Sequence, residues 1–197
     1  MRYAAKWPEY AREWNAMRIN SERVAEFETD ARRIIAHKEQ YQEIETATIA
    51  GPRAVPWWLI AIIHLREASL DFKAYLGNGQ PLDEETTEVP AGRGPFTGPD
   101  AFLNGAIDAL RIDGLTSVLD WRLEKALYYQ ELFNGAGYSM RGLPSPYIWG
   151  GTNIQKRGKY TSDGVFNSRV WDTQPGCAPI LATLARLDPT ISLVRET

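Results

Sequence analysis

Within eight residues the chain presents His64, Arg66, Glu67, Ser69 and Asp71, directly after an apolar run from Val55 to Ile63. A helix over that run is apolar all round, so it is buried on every side rather than along one stripe. It would deliver Glu67 to its C-terminal end, a costly place for a carboxylate unless the acid is used. A carboxyl group held against Trp57, Trp58 or the isoleucines is desolvated, which disfavours its ionised form and raises its pKa. A neutral carboxylic acid near pH 7 is what glycosidic cleavage needs to protonate the departing oxygen. Asp71, one turn on, would raise it further by like-charge repulsion if the helix continues that far. The structural alternative is an ion pair of Glu67 with Arg66, Arg93 or another arginine, closing the helix end.

Further acids follow at Asp83, Glu84, Glu85 and Glu88. A second carboxylate, or a hydroxyl such as Thr86 or Thr87, can position water on the far side of a sugar. Two acting carboxylates stand about 5 Å apart in retaining enzymes and about 6.5–9.5 Å apart in inverting ones. Taken singly, each acid also fits a solvated hairpin. His64 lies three residues before Glu67 on nearly the same face. It either modulates the acid, acts as a base, or is packed and hydrogen-bonded. Cys177 has no recognisable catalytic partner, and the glycine-rich segments lack the strand–loop–helix setting of a phosphate cradle.

The elements that must position these groups are mostly helical. Ser21 to about Thr46 shows apolar residues near 3.6 spacing, with Ser21 as an N-cap. Gly51-Pro52 separates it from the apolar run, where Pro56 suits a first helical turn. From Tyr75 to Pro99 the pattern becomes polar. Asn78-Gly79 signals a hairpin, Glu84 to Val89 is strand-like, and Ala91 to Pro95 is loop. Helices are expected again at about Pro99–Arg111 and at Thr116–Phe133. The second is opened by Ser117 and Asp120 in a capping-box spacing and halted at Asn134-Gly135. Gly135 to Gly176 is dense in glycine, tyrosine and tryptophan, with a turn at Asp163-Gly164, and Pro179–Leu187 closes as a short helix. The fold class expected is α+β, mostly α, with one small β-hairpin lobe after Glu67.

Composition narrows the function classes. The 197 residues are 44% hydrophobic and 24% charged, which is enough for one domain with a real core. A net charge of −3 gives no reason to expect a nucleic-acid partner. Two histidines and one cysteine leave no zinc cluster and no internal disulfide. No cofactor is expected. The apolar run is far shorter than the roughly 20 residues of a membrane span. The first twenty residues lack the apolar core of a signal peptide, so synthesis as a cytoplasmic species is expected, with delivery by another route. Seven tryptophans and nine tyrosines are many for this size; most are expected in the core, and surplus aromatics also suit a carbohydrate cleft.

Trp58 to Phe72 resembles the catalytic helix of the goose-type lysozyme and lytic transglycosylase superfamily, in which a buried helix ends in Glu-Ser. Here Glu67-Ala68-Ser69 departs from that pair. Leu132-Phe133-Asn134-Gly135-Ala136-Gly137-Tyr138 is similar to the superfamily's Tyr-Asn-Ala-Gly element, with Phe133 in place of the tyrosine. Tyr75 to Gly79, Thr86-Thr87, Val89 to Arg93 and Ser145 to Trp149 together resemble phage and prophage lysozyme-like endolysins. The resemblance covers about Pro56 to Gly176.

The resemblance implies one lysozyme-like domain over 1–197, with 1–50 a helical part packing on a catalytic region at 55–176. It implies a bacteriolytic muramidase that cuts peptidoglycan between N-acetylmuramic acid and N-acetylglucosamine. Glu67 would be the general acid, and Thr87, with Thr86, would position water or sugar. Asn134 and Tyr138 would bind an N-acetyl group, and Tyr147 and Trp149 would stack on sugars. Arg93 would pair with a cleft acid or a stem-peptide carboxylate. Asn78 and His64 complete the expected substrate-binding set, with no metal. The partner is the glycan strand, met by a monomer without stable membrane insertion. A lytic transglycosylase or a chitin- or chitosan-cleaving glycosidase shares the acid. A non-catalytic wall-binding module and a helical interaction protein are the readings of another class.

Overall fold

A computed structural model describes residues 2–49, 53–162 and 164–197. Along the chain run α1 (Tyr3–Ala16), α2 (Val24–Ala36), α3 (Lys38–Ala47), α4 (Trp57–Ala68), α5 (Ala101–Ile112), α6 (Leu123–Phe133), α7 (Gly137–Met140), α8 (Pro146–Trp149), strands β1 (Lys159–Ser162) and β2 (Val165–Asn167), and α9 (Cys177–Leu187). Among the described residues the architecture is mostly α with one two-stranded antiparallel hairpin, the class that the patterning predicts. The chain forms two compact units, one of Met1–Arg32 with Arg122–Thr197 and one of Arg33–Trp121. Residues 1–50 therefore do not form a lobe of their own. Helix α1 packs on α6 in the first unit, and α3 packs on α4 in the second.

The Arg33–Trp121 unit is built on α4. Every residue from Trp57 to Arg66 is buried, which is what an all-apolar helix requires. Pro56 stands at the N-cap, and its carbonyl accepts from the Leu59 and Ile60 amides at 2.9 and 3.2 Å. Tyr41 and Ile44 are the buried residues of α3, and α5 also packs on α3. The helix expected from Ser21 to Thr46 is interrupted. A 3-10 turn at Ser21–Arg23 precedes α2, and His37 separates α2 from α3. A one-residue break leaves apolar periodicity almost intact, so the pattern alone conceals it. Ser21 is not the cap, because Asn20 occupies that position without a side-chain bond.

In the other unit, α6 starts at Leu123 and not at Thr116. Before it, still in the Arg33–Trp121 unit, Gly114 in the left-handed region at φ 71° opens a 3-10 turn at Leu115–Ser117, after which Val118 is extended. Arg122 holds the N-cap of α6 without a side-chain bond and the Leu123 amide is satisfied at 2.8 Å by the Val194 carbonyl, so Ser117 and Asp120 are not the capping box of this helix. The expected stop is observed: α6 ends at Phe133, and Gly135 turns the chain at φ 84°.

The hairpin lies at 159–167, not at 75–99. Tyr160 faces Phe166 across it with ring centroids 5.3 Å apart, a pairing that stabilises two strands. Residues 75–99 form only one bridge, Ala74 with Pro81. Pro81, Pro90 and Pro95 remove ladder donors there. Gly51, Pro52 and Asp163, read as breakers, lie outside the described residues, although Gly164 beside the last has φ 72°. No helix among the described residues is long and apolar enough to cross a membrane.

Candidate active site

Glu67 stands in the last turn of α4, half-buried, one residue before the helix ends at Ala68. The helix does not continue to Asp71, so the expected turn-on-turn repulsion is absent. Ser69 adopts the left-handed conformation at φ 53°, and Leu70 follows at φ 66°. The Leu70 amide reaches back to the His64 carbonyl at 3.4 Å, and Asp71 is turned out to solvent, its carboxylate accepting from the Lys73 amide at 2.9 Å.

His64 braces this helix end from inside. It has no exposed surface, and burial lowers its pKa to about 4. Its Nε2 lies 3.0 Å from the Asp71 carbonyl, which can only accept, so Nε2 carries the proton. Nδ1 then accepts from the Tyr41 hydroxyl at 2.8 Å. With both nitrogens committed and no surface, His64 is not a substrate contact. Its place is to hold the turn that follows Glu67.

The Tyr75–Gln80 turn presses against the same helix end. The Tyr75 carbonyl accepts from the Gly79 amide at 2.8 Å, and Gly79 has φ 75°. A Cβ at Gly79 would fall 2.5 Å from the Glu67 carbonyl oxygen, so both conformation and space require glycine. Asn78 Oδ1 accepts from the Gln80 amide, and Asn78 Nδ2 donates to the Glu88 carbonyl at 3.1 Å. Its amide thus ties the turn to the following loop.

Gln80 is the hub of that loop. Its Oε1 accepts from the Thr87 and Glu88 amides, both at 2.9 Å, and its Nε2 donates to Thr87 Oγ1 at 3.0 Å. Thr87 is exposed. Since its oxygen accepts from Gln80, its own proton points to another partner. Thr86 differs. It is buried, donates to the Pro90 carbonyl at 2.7 Å and accepts from the Arg93 amide at 3.0 Å. It closes the loop from within and cannot position a water.

Arg93 finds its acid in Asp108 of α5, through both Nε, at 2.9 Å, and Nη2. The Tyr75 hydroxyl donates to the same carboxylate at 2.8 Å. Burial pushes the Asp108 carboxyl up, but the bonds from Arg93 and Tyr75 outweigh it and hold it below the usual range. Arg93 therefore anchors the loop to α5 and is not held out for a stem carboxylate. Sequence reading missed Gln80 and Asp108, because pairing across such separations has no periodic signal.

The remaining expected residues lie in the other unit. Asn134 is exposed at the C-cap of α6. Tyr138, Tyr147 and Trp149 are buried, with 6%, 2% and 1% of their surface accessible, so they cannot stack on a sugar as they stand. Tyr138 serves the hairpin instead: its hydroxyl accepts from the Tyr160 amide at 3.1 Å and its ring meets Tyr160 edge-on. Trp171 is the exposed tryptophan of this stretch.

A cleft of about 540 Å³ lies in the Arg33–Trp121 unit, and Glu67 is not among its lining residues. Among the described residues no cluster of three His, Cys, Asp or Glu side chains is placed to hold a metal. No family model, curated protein or solved structure matches this chain. Its own residues carry the functional reading.

Proposed function

We propose that the protein is a peptidoglycan-degrading glycoside hydrolase of muramidase type, with Glu67 as its general acid. The observation that carries the reading is the setting of Glu67: half-buried, in the last turn of a rigid apolar helix, beside a turn locked by side-chain amides. Rigid backing lets an acid hold its proton at one place relative to a bound glycosidic oxygen. Glu67 gives that proton to the departing oxygen as positive charge develops on the sugar ring. The attacking water then gives its proton to the Glu67 carboxylate that the first step leaves, while the Thr87 oxygen, aimed by Gln80, accepts a hydrogen bond from that water or from a sugar hydroxyl. Asn134 remains a candidate N-acetyl contact within its own unit.

The test is mass spectrometry of fragments released from purified peptidoglycan by the wild type and by Glu67→Gln. Reducing-end muropeptides from the wild type alone support the reading. Anhydro-muropeptides would make the enzyme a transglycosylase, in which the muramyl hydroxyl replaces water. Binding to the wall without fragments from either protein would overturn catalysis and favour a wall-binding module.

A further inference from the structure

The cleft apart from Glu67 has an apolar floor of Ile44, Phe72, Leu82, Phe96 and Phe102. Its rim carries three carboxylates, Glu43, Asp83 and Asp100, against one cation, Lys73. Among the described residues none of the three carboxylates is held in an ion pair. The floor is stiff: Phe72 meets Phe102 edge-on at 4.7 Å, and the braced His64 ring lies 4.5 Å from Phe102. At about 540 Å³ the cleft falls among small-molecule sites, which span roughly 300–1,000 Å³.

An aromatic floor under an acidic rim is complementary to one kind of group, an aliphatic chain ending in an ammonium. The methylenes bury on phenylalanine faces while the cation meets carboxylates and ring quadrupoles. A neutral sugar would leave the acids unused, and a carboxylate-bearing side chain placed at the rim would be repelled by them. We propose that this cleft binds the amine-bearing diamino-acid side chain of a peptidoglycan stem peptide. The choice of amine rests on the muramidase reading above; the cleft's preference for an alkylammonium group rests on its own lining.

The experiment titrates the full-length isotope-labelled protein with the tripeptide L-alanyl-γ-D-glutamyl-L-lysine and with its Nε-acetyl form, followed by amide NMR shifts. Release of fragments from peptidoglycan is measured in parallel. Shifts concentrated at Leu82 and Thr97–Leu103 are expected. Affinity should fall about tenfold or more on acetylation, and likewise in Asp83→Asn/Asp100→Asn, whose substituted side chains are exposed. Equal binding of the acetylated peptide, or no shifts at the cleft, overturns the proposal even if the wall is digested. Cleft binding without wall digestion upholds it and overturns the muramidase reading instead.

Discussion

Glu67 and Glu131 are the same residue type in the same local position, the last turn of a helix, and their surroundings separate them completely. Glu131 of α6 has 1% of its surface exposed. The Tyr10 hydroxyl holds one of its oxygens at 2.5 Å and the Ser139 hydroxyl holds the other at 2.5 Å. Such an acid can join helix to helix but has no way to meet a substrate. Glu67 is half-buried, and the turn beside its helix end is held by the side-chain amides of Asn78 and Gln80. What separates the two acids is burial: Glu131 is closed off from solvent, whereas Glu67 keeps part of its surface accessible.

The contrast can be broken by exchanging the two defects. Glu67→Gln is expected to lower muropeptide release by about 10²–10⁴-fold, the usual worth of a general acid, while changing unfolding free energy by less than about 1 kcal/mol. Glu131→Ala should do the reverse. It strands the hydroxyls of Tyr10 and Ser139 and should cost about 3 kcal/mol in urea unfolding, with turnover per folded molecule retained. A stability loss in Glu67→Gln matching that of Glu131→Ala would erase the distinction.

Opposite pH responses should sharpen it. His64, with a folded pKa near 4 against 6.5 unfolded, favours the fold fully above 6.5. That contribution, about 3 kcal/mol, is lost as pH falls toward 4, because the unfolded chain then binds the extra proton. Glu13 near α1's end is pushed up from 4.5 to about 7 by burial, with the charge of Glu9 adding to it. Here the folded state binds the extra proton, so stability present below 4.5 declines as pH rises to about 7. Allowing for solvent screening, that loss is about 1–2 kcal/mol. Amide hydrogen exchange at pH 5 and 7 should show protection rising with pH around α4 and falling around α1. Glu13→Gln should abolish the second trend.

Two smaller substitutions probe the turn itself. Gly79→Ala forces a Cβ into a left-handed residue and against the Glu67 carbonyl, and should cost about 2 kcal/mol together with activity. Gly135→Ala in the other unit, with open space around it, should cost about 1 kcal/mol and leave release rates unchanged. Thr87→Ala is expected to slow release about tenfold, and Thr87→Ser to restore most of it. Loss of the wild-type rate in neither would remove the hydroxyl from the proposed mechanism.

What the sequence determined by itself is local. The apolar run over Val55 to Ile63, opened by Pro56, suits a helix buried on every side, and α4 with Glu67 at its end is that helix. The stop at Asn134-Gly135 follows from the left-handed conformation that glycine adopts without strain. The mostly helical class follows from the same periodicities. Tertiary structure decided everything that depends on distant partners. It put the hairpin at Tyr160 and Phe166, where aromatic pairs meet across strands, while side-chain amides took the donors that 75–99 would have used in a ladder. It buried Tyr138, Tyr147 and Trp149, whose composition suited a sugar cleft equally well. It gave Arg93 to Asp108, turned His64 inward to Tyr41 and left Glu67 half-buried. The physical reason is common to all of these. A side chain's type sets what it can bond to, but burial and the identity of its partner are set by residues far away in the chain.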